Sequence, residues 1–218
     1  MNQLVIFDLD NTIIAGDSDK NWGIFLAEEN IVDQDYLKQS EEFYEKYSSG
    51  NLDIYKFIEF CSQPLIKNSM DQLLSLRNKF IQNKIKPIIL DKPKNLIRDH
   101  IKNNDKVIIA TATNNFVTRP IADLFQVDIL ISTELEIKDN KFTGKLINSP
   151  CFKEGKLEKV NEWANKNSYD LSDATFYSDS FNDLPLLKVV KEPIIVDGDE
   201  KIISIANQNN WTCISFRE

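Results

Sequence analysis

Histidine and cysteine are scarce in this sequence of 218 residues. The one histidine is His100, so any mechanism that needs two histidines is excluded and a histidine-based triad would have to use this residue. The three cysteines, Cys61, Cys151 and Cys213, are an odd number without a C-x-x-C spacing. They predict reduced thiols in a cytoplasmic protein, and neither a disulfide framework nor a zinc site.

Long apolar runs and an excess of positive charge are also missing. No apolar run approaches the roughly 18–20 residues that a membrane span needs, and two carboxylates interrupt the short apolar stretch at the start, so we expect neither a signal peptide nor a membrane partner. The chain has 26 Lys and Arg against 34 Asp and Glu, a formal net charge of −8, which argues against a nucleic acid partner. No oligomeric state is predicted.

What is present is a globular composition in which short apolar runs alternate with helical patterns. The length fits one large domain, or one domain that carries a smaller insertion. Predicted strands lie near residues 5–7, 107–110, 127–131, 174–178 and 194–196. Predicted helices outside the first long gap lie near residues 92–103, 115–125, 155–167, 181–190 and 199–209.

This alternation predicts an α/β fold with a Rossmann-like parallel sheet and helices on both faces. Ligands of such sheets bind beyond the carboxyl ends of the strands. Four of the five predicted strands are followed at that end by polar or acidic residues. The sequence therefore predicts a site at this edge. His100 falls in a polar helix away from it, and we expect this residue at the surface.

The gap between the first and second strands is too long for a single crossover. It holds some 70 residues more than one βαβ unit needs. Predicted helices in it lie near residues 18–30, 34–48, 53–62 and 70–84. We interpret residues 16–85 as an inserted helical cap and residues 1–15 plus 86–218 as the catalytic core. A smaller insertion, residues 134–147, alternates around a turn and predicts a β-hairpin.

Acidic residues cluster after the first and fourth strands. Asp8 and Asp10 suit either a divalent metal or a nucleophile beside an acid/base group, although an ordinary acidic turn has the same spacing. Asp179 and Asp183 lie four apart at a strand-to-helix junction, where helix caps are the alternative. If the two strands are neighbours, three carboxylates converge, and their repulsion calls for a cation such as Mg²⁺.

Polar residues after the second strand and at a later helix suit a phosphoryl group. The Thr111 hydroxyl and neighbouring backbone N–H groups could bind a phosphoryl oxygen. Lys156 begins the helix at 155–167 and would offset the acidic charge, with Lys153 as a rival for that role. The alternatives are a threonine without a special role and solvated lysines.

The order and spacing of these residues resemble the four motifs of the haloacid-dehalogenase-like (HAD) phosphohydrolases. Asp8-Leu-Asp-Asn-Thr12 matches their Asp-x-Asp-x-Thr/Ser signature, and the apolar run that ends at Thr111 resembles their second motif. Gly155-Lys156 resembles the third motif, and Ser178-Asp-Ser-Phe-Asn-Asp183 resembles the fourth. The resemblance covers nearly the whole chain and is specific in the first and fourth motifs.

The long helical insertion resembles subfamily IB, which has a C1-type cap and holds the phosphoserine phosphatases. Thr111-Ala-Thr-Asn114 and Phe116-Val-Thr-Arg-Pro120 look closest to bacterial SerB-like members, some of them described as histidinol-phosphatases. The resemblance thus implies a phosphatase of a small metabolite.

The resemblance also implies roles for individual residues. Asp8 would be the nucleophile that forms an aspartyl-phosphate, and Asp10 the general acid that then becomes the base. Dehalogenases and phosphonatases of the family do not keep an Asp at the second position, so Asp10 favours phosphate-ester hydrolysis. Mg²⁺ would be held by Asp8, the Asp10 backbone carbonyl and Asp179, with Asp183 acting directly or through water. Four residues would bind the phosphoryl group: Thr111, Ala112, Lys156 and Asn182.

Two departures from the phosphoserine phosphatases bear on the substrate. Their second motif has a Ser-Gly-Gly turn, which here is Thr111-Ala-Thr113, and the cap's one arginine, Arg77, lies in no matching motif. Asp17 or Asp19 would stand for the acidic residue that holds their amino acid. With Trp22 and other cap aromatics, these acids suit a cationic or ring-bearing organic phosphate, of which histidinol phosphate is one candidate.

Three alternatives to this hypothesis stay open. They are a phosphoserine phosphatase, a phosphotransferase with another acceptor, and a receiver-like phospho-aspartate signalling protein. The long cap argues against the last, since that module is compact.

Overall fold

A computed structural model describes residues 2–217 of the chain. Within this range the strands are β1 (Leu4–Phe7), β2 (Lys106–Asn114), β3 (Ile129–Thr133), β4 (Leu135–Lys138), β5 (Lys141–Leu146), β6 (Thr175–Ser178), β7 (Glu192–Val196) and β8 (Thr212–Ile214). Six of them form one parallel sheet in the order β3-β2-β1-β6-β7-β8. The predicted hairpin is the antiparallel pair β4 and β5.

The helices surround this sheet and fill the long gap after β1. They are α1 (Ser18–Glu28), α2 (Gln34–Ser49), α3 (Ile54–Lys67), α4 (Met70–Phe80), α5 (Asp91–Lys102), α6 (Asn115–Leu124), α7 (Glu154–Lys166), α8 (Leu184–Leu187) and α9 (Glu200–Asn209). The predicted α/β fold is therefore confirmed. No helix among residues 2–217 combines the length and apolarity needed to cross a membrane.

Strand β1 lies at the centre of the sheet and is buried along its whole length. Its neighbours are β2 on one side and β6 on the other. Val5 and Phe7 pack into the core on one face, and Leu4 and Ile6 into the core on the other, as the two-residue period of a strand requires. Because the three strands are parallel, the loops after β1, β2 and β6 meet at one edge of the sheet.

The insertion between β1 and β2 has two layers. Helices α1 and α4 share the core of the sheet: Trp22, Phe25 and Phe80 belong to the same buried cluster as Val5. Helix α2 buries only Ser40 and lies over the strand ends. The two connections of the insertion pair with each other, since Ala15 N donates to the Ile88 carbonyl at 2.7 Å and Ile14 bridges to Ile89.

Local sequence signals explain where these inserted helices begin and end. Asp17, Asp33, Asp53 and Ser69 each precede a helix, and each side chain accepts a hydrogen bond from the backbone N–H three residues on. Gly50 ends α2 in the left-handed conformation, with φ of 81°, that favours glycine.

Some predicted elements differ from the structure. The helix predicted near 181–190 is a 3₁₀ turn at Phe181–Asp183 followed by the single turn of α8, in which Pro185 lies at the first positions. The last predicted cap helix ends at Phe80 and continues as a π-helical turn, Ile81–Ile85. Strand β8 was not predicted, because three residues of largely exposed chain carry no periodicity.

The prediction that His100 is a surface residue was wrong. Its side chain is 19% exposed, and its Nδ1 lies 2.8 Å from Asp105 Oδ2. Its ring packs edge-on against Phe7, with the centroids 6.4 Å apart. The polar helix α5 turns this residue toward the end of the sheet, where Asp105 satisfies one of its ring nitrogens.

Candidate active site

Asp8 follows β1 and is buried, with 6% of its surface exposed. Its backbone N–H donates to the Tyr177 carbonyl at 2.9 Å, which ties the loop to β6. Lys156 Nζ donates to its Oδ1 at 2.8 Å, and Thr12 Oγ1 lies 3.2 Å from its Oδ2. Burial raises the pKa of Asp8 to about 7, and Lys156 opposes that shift. One oxygen of this carboxylate therefore faces a cation and the other a hydroxyl.

Lys156 bridges two of the buried carboxylates. Its Nζ lies 2.8 Å from Asp8 Oδ1 and 2.7 Å from Asp183 Oδ1, and the residue is 3% exposed. Burial acts to lower the pKa of Lys156, but Asp183 and Asp8 raise it well above its usual value, so the ammonium stays charged. Gly155 makes this approach of α7 possible, because a Cβ at that position would overlap the Pro150 carbonyl oxygen.

Lys153, the rival of Lys156, points elsewhere. Its Nζ donates to the Gly50 carbonyl at 2.8 Å, at the carboxyl end of α2. The structure therefore brings Lys156 to Asp8 and directs Lys153 to the insertion.

The acids after β6 join the same site. Thr12 Oγ1 lies 3.0 Å from Asp179 Oδ1 and accepts the Asp179 N–H at 3.1 Å. Asp183 accepts from Ser178 Oγ at 2.7 Å, in addition to Lys156. Burial, followed by the charges of Asp8 and Asp183, raises the pKa of Asp179 well above its usual value. Three carboxylates thus converge, as expected if β1 and β6 are neighbours.

The donor set fits a divalent cation. Asp8, Asp179 and Asp183 carry three negative charges and Lys156 one positive charge, which leaves −2 when all are ionised. Oxygen ligands of this kind suit Mg²⁺, and a divalent cation would balance the remaining charge. Among residues 2–217, no group of three His, Cys, Asp or Glu side chains is already arranged to hold a metal ion. Lys156 and Thr12 contact oxygens of Asp8, Asp179 and Asp183 instead.

Asp10 is held by donors on both of its oxygens. Ser18 N–H donates to Oδ1 at 2.6 Å, while Thr113 Oγ1 at 2.9 Å and Thr111 Oγ1 at 3.2 Å donate to Oδ2. Burial raises the pKa of Asp10 to about 6, and the nearby Asp17 raises it further. A carboxyl group with a pKa near neutrality is suited to give and take a proton.

The second motif, Thr111-Ala-Thr113, donates two hydroxyl hydrogen bonds to Asp10 and also lines the cavity. Thr111 is 1% exposed, and its Oγ1 also accepts the Thr113 N–H at 3.2 Å. Ala112 lines the cavity above Asp8. The contact of Thr113 with Asp10 was missed, although the replacement of Ser-Gly-Gly by Thr-Ala-Thr was a signal for it.

A cavity of about 570 Å³, including the solvent at its mouth, opens above these residues. Its floor contains the acids, Lys156, Asn182 and the second motif. Its walls are largely aromatic and come from the insertion and from the loop before α7: Phe43, Tyr44, Tyr47, Phe57 and Phe152. The cavity is thus charged at one end and apolar along its sides.

The two acids predicted for substrate recognition line this cavity. Asp17 Oδ1 accepts from Lys20 N–H at 2.8 Å and from the Tyr44 hydroxyl at 3.2 Å. Burial raises the pKa of Asp17 to about 6. Burial also raises the pKa of Asp19 to about 7, Asp10 adds to that rise, and a hydrogen bond from the Cys61 thiol opposes it.

Trp22, the third predicted specificity residue, is not among the residues that line the cavity, and its prediction as a specificity residue is wrong. It is 3% exposed and packs against Phe25, Phe80 and Phe116, with ring centroids 5.1 to 6.2 Å apart. It lies on the face of α1 that turns toward the sheet, so it belongs to the core.

The end of α2 closes the cavity from above. The Tyr47 hydroxyl lies 3.2 Å from Ser180 Oγ, and Asn182 Nδ2 donates to the Tyr47 carbonyl at 3.4 Å. Lys153 and Lys201 donate to the carbonyls of Gly50 and Ser48, at 2.8 and 3.1 Å. These cations lie at the carboxyl end of a helix, where the macrodipole favours them.

Curated relatives match the chain over its whole length. It is 36% identical over 222 residues to a protein of Neisseria meningitidis serogroup C (strain 8013) named histidinol-phosphatase, and the match covers 100% of both chains. It is 27% identical over 222 residues to the phosphoserine phosphatase SerB1 of Mycobacterium tuberculosis (strain ATCC 25618 / H37Rv), with 97% of this chain and 70% of that protein covered. Both relatives carry the names of phosphatases.

Solved structures share the architecture. A protein of unknown function from Bordetella pertussis Tohama I superposes with a TM-score of 0.92 at 33% identity, covering 99% of each chain. A substrate-bound phosphoserine phosphatase superposes with a TM-score of 0.74 at 15% identity, covering 98% of this chain and 93% of that one. The family model of the haloacid dehalogenase-like hydrolases matches residues 5–188. The chain therefore belongs to the haloacid dehalogenase-like hydrolase family.

Proposed function

We propose that the chain hydrolyses a small organic phosphomonoester in a Mg²⁺-dependent reaction, with Asp8 as the nucleophile. The observation that carries this proposal is the arrangement around Asp8. Its carboxylate lies at the floor of an aromatic-walled cavity, 2.8 Å from the buried Lys156 ammonium and close to Asp10. A nucleophile, a fixed cation and a carboxyl group with a pKa near neutrality are what phosphoryl transfer through a covalent intermediate needs.

The proposed reaction has two steps. An Asp8 oxygen bonds to phosphorus while the bond from phosphorus to the alcohol oxygen breaks, and protonated Asp10 gives its proton to that leaving oxygen. Asp10, now a carboxylate, takes a proton from a water molecule, whose oxygen bonds to phosphorus and releases Asp8 and inorganic phosphate. The Thr111 and Thr113 hydroxyls and the Ser18 N–H support the carboxylate form of Asp10 by donating to it.

The remaining polar groups would bind the phosphoryl oxygens and the metal ion. Lys156, Thr111 and Ala112 line the cavity that contains Asp8. Lys156 and the backbone at Ala112 would bind a phosphoryl group there, since the Thr111 hydroxyl already donates to Asp10. Asp8, Asp179 and the Asp10 carbonyl would hold Mg²⁺, which would supply positive charge to the transferred group. Because Lys156 and Ser178 engage Asp183, the proposal favours contact of Asp183 with the metal through water.

We further propose that residues 16–85 act as a cap that opens for substrate entry, with the core formed by residues 1–15 and 86–218. Ile14 pairs with Ile89 and Ala15 with Ile88, so the segment that enters the insertion is hydrogen-bonded to the segment that leaves it. The contacts of Tyr47 and Gly50 with the core would break on opening.

Histidinol phosphate is the first substrate to test. The name of the Neisseria relative, at 36% identity over the full length, supports it. The acids Asp17 and Asp19 beside aromatic walls support a substrate whose organic part carries positive charge. Phosphoserine is the second candidate, supported by the name of the mycobacterial relative.

The test is phosphate release from a panel of phosphomonoesters, with Mg²⁺ and after metal removal. The panel contains histidinol phosphate, phosphoserine, a sugar phosphate, a nucleotide and p-nitrophenyl phosphate. Asp8→Asn should lose about 10³-fold or more of the activity. Asp71→Asn removes an exposed carboxylate in the first turn of α4 and should retain it.

Three outcomes separate the alternatives. Metal-dependent release that Asp8→Asn abolishes supports the phosphatase. No release, together with a stable phosphate on Asp8, would favour the signalling alternative. Transfer of the phosphoryl group to an added alcohol in preference to water would favour the phosphotransferase.

A further inference from the structure

The loop after β7 lies at the same edge of the sheet as the acids of the site, and the proposed function assigns it no role. It begins with Asp197 and Gly198, at the carboxyl end of a parallel strand. A Cβ at Gly198 would lie 3.4 Å from the Asp179 carbonyl oxygen, so this loop packs against the loop after β6. The loop after β7 is therefore a direct neighbour of the proposed metal site.

Arg217 joins this loop to the first motif. Its Nη1 lies 3.4 Å from Asp197 Oδ2, and its Nη2 donates to the Asn11 carbonyl at 2.7 Å. Asn11 is the residue between Asp10 and Thr12 in the Asp-x-Asp-x-Thr signature. One guanidinium thus bridges two loops at the carboxyl edge of the sheet, which its planar fork of donors allows.

The backbone that carries Arg217 is held by the same part of the fold. The Phe216 N–H donates to Asp197 Oδ2 at 3.1 Å. The Phe216 ring is 8% exposed and stacks on Tyr177, with the centroids 6.2 Å apart. The guanidinium of Arg217 therefore extends from an anchored segment toward Asn11.

The contact at Asn11 supports an unfavourable backbone conformation. Asn11 has φ of 56°, in the left-handed region that residues other than glycine adopt at a cost. Its N–H donates to the Gly16 carbonyl at 2.9 Å, and Arg217 binds its carbonyl. Because a peptide unit is planar and trans, the Asn11 N–H and the Asp10 carbonyl point in opposite directions. The conformation of Asn11 therefore sets the direction of the Asp10 carbonyl.

We propose that Arg217, paired with Asp197, is a positioning residue that holds the Asp10–Asn11 peptide in the orientation needed for Mg²⁺ binding and proton transfer. This inference rests on the proposed function, which gives the Asp10 carbonyl to the metal and the Asp10 carboxyl to the leaving group, and it deepens that function. Arg217 is not among the residues that line the cavity, so it acts through the backbone of Asn11.

The first experiment makes two measurements on Arg217→Gln. The Kd for Mg²⁺, obtained from the rise of Tm with Mg²⁺ in protein without substrate, should increase about tenfold. With p-nitrophenyl phosphate at saturating Mg²⁺, kcat should fall about tenfold while KM stays within about twofold. Circular dichroism checks that the variant is folded at the assay temperature. If both Kd and kcat stay within about twofold of the wild type, the proposal is overturned.

Arg119 is a matched control at the opposite edge of the sheet. Its side chain is 36% exposed, against 35% for Arg217. It binds the Asp123 carboxylate and the carbonyls of Val127 and Asp128, which precede β3. Arg119→Gln should lower Tm and leave the Kd for Mg²⁺ and kcat unchanged. Equal losses in the two variants would mean that an arginine at either edge acts only through general stability, and would overturn the proposal.

Asp197 offers a second variant that leaves the arginine in place. Asp197→Asn keeps an acceptor for the Phe216 N–H and removes the charge that orients Arg217, so the Kd for Mg²⁺ should rise about threefold. The double variant with Arg217→Gln should lose no more than Arg217→Gln alone, because both changes act through one contact. Losses that multiply would contradict the pairing of the two residues.

Failure of the inference can be told from failure of the proposed function. Phosphate release that depends on Mg²⁺ and is lost in Asp8→Asn supports the function whatever the result for Arg217→Gln. If that release and the Kd for Mg²⁺ are unchanged in Arg217→Gln, the inference fails and the function stands. If the wild type hydrolyses no ester and binds no Mg²⁺, both fail.

Discussion

Both ends of the cavity carry acids that are buried or partly buried, but only one end holds a cation beside them. At the phosphoryl end, Lys156 lies within 2.8 Å of both Asp8 and Asp183, and Thr12 links Asp8 to Asp179. At the organic end, the partners of Asp17 and Asp19 are a backbone N–H, a tyrosine hydroxyl and a thiol, all of them neutral.

The two ends are therefore suited to different tasks. At the phosphoryl end the ion pairs of Lys156 are present before substrate binds. Removing one member of such a pair would leave a buried charge without its partner. Burial raises the pKa of the carboxyl groups at both ends, but at the phosphoryl end Lys156 opposes that rise at Asp8, whereas no cation opposes it at Asp17 or Asp19. The phosphoryl end should therefore respond to substitution mainly by losing stability and turnover, and the organic end by changing which substrate is accepted.

The largest expected effect comes from removing the lysine of the phosphoryl end. Lys156→Met should destabilise the metal-free protein by about 3–5 kcal/mol, because Asp8 and Asp183 would lose their shared cation in a buried site. Urea unfolding followed by circular dichroism would measure this loss.

Lys153→Met is the control for that substitution. Lys153 makes one hydrogen bond to the Gly50 carbonyl and lies outside the acidic group, so its loss should be below about 1.5 kcal/mol. Similar losses for the two variants would mean that Lys156 compensates no charge.

The next effect is the response to Mg²⁺. The remaining −2 charge of the phosphoryl end should make Mg²⁺ stabilise the wild type by about 2.7 kcal/mol at a concentration about 100 times its Kd. Thermal unfolding with Mg²⁺, against KCl of equal ionic strength, measures the shift. Asp179→Asn should remove most of it, while Asp17→Asn, at the other end, should keep it. If Asp179→Asn and Asp17→Asn reduced the stabilisation by Mg²⁺ equally, the distinction between the two ends would be contradicted.

The arrangement of the phosphoryl end could be predicted from the sequence in large part. Asp8, Thr111 and Asp179 each follow a short apolar run, and the carboxyl ends of parallel strands meet at one edge. The first residues of α1 and α4, Ser18 and Met70, could be predicted because Asp17 and Ser69 are short polar residues that precede helical patterns. What these residues do in catalysis stays a prediction.

The organic end was less predictable, because its walls depend on how separate helices pack. Trp22 and Phe57 are both aromatic residues of the insertion, yet Trp22 packs in the core and Phe57 lines the cavity. The distinction depends on how α1 packs on β2 and α3 on the hairpin strand β5, and the periodicity of neither helix predicts it. The cavity likewise forms only where residues of α1, α2, α3 and β2 come together.

The pH dependence of stability should distinguish the organic end at a smaller scale. Because the folded-state pKa of Asp19 is raised from 3.8 to about 7, the folded protein binds more protons than the unfolded chain between those values, and stability falls as pH rises through this window. Asp19→Asn should remove part of that fall. At pH 8 it should be more stable than the wild type by about 1–3 kcal/mol, and below pH 4 nearly equal to it. Asp35 is the second residue of α2, as Asp19 is the second residue of α1, and it is exposed. Asp35→Asn should show no such gain, and a gain of equal size there would point to general charge reduction.

The smallest effect concerns the contact that joins the two ends. Tyr47 lies in the cavity wall, and its hydroxyl is 3.2 Å from Ser180 Oγ, next to Asp179. Tyr47→Phe keeps the ring and removes this hydrogen bond, which is worth about 0.5–1.5 kcal/mol, so kcat/KM should fall about 3- to 10-fold on every ester. Tyr55→Phe, on the 62% exposed ring of α3, is the control and should change nothing. If the loss in Tyr47→Phe were confined to cationic substrates, Tyr47 would belong to recognition at the organic end and not to closure over both.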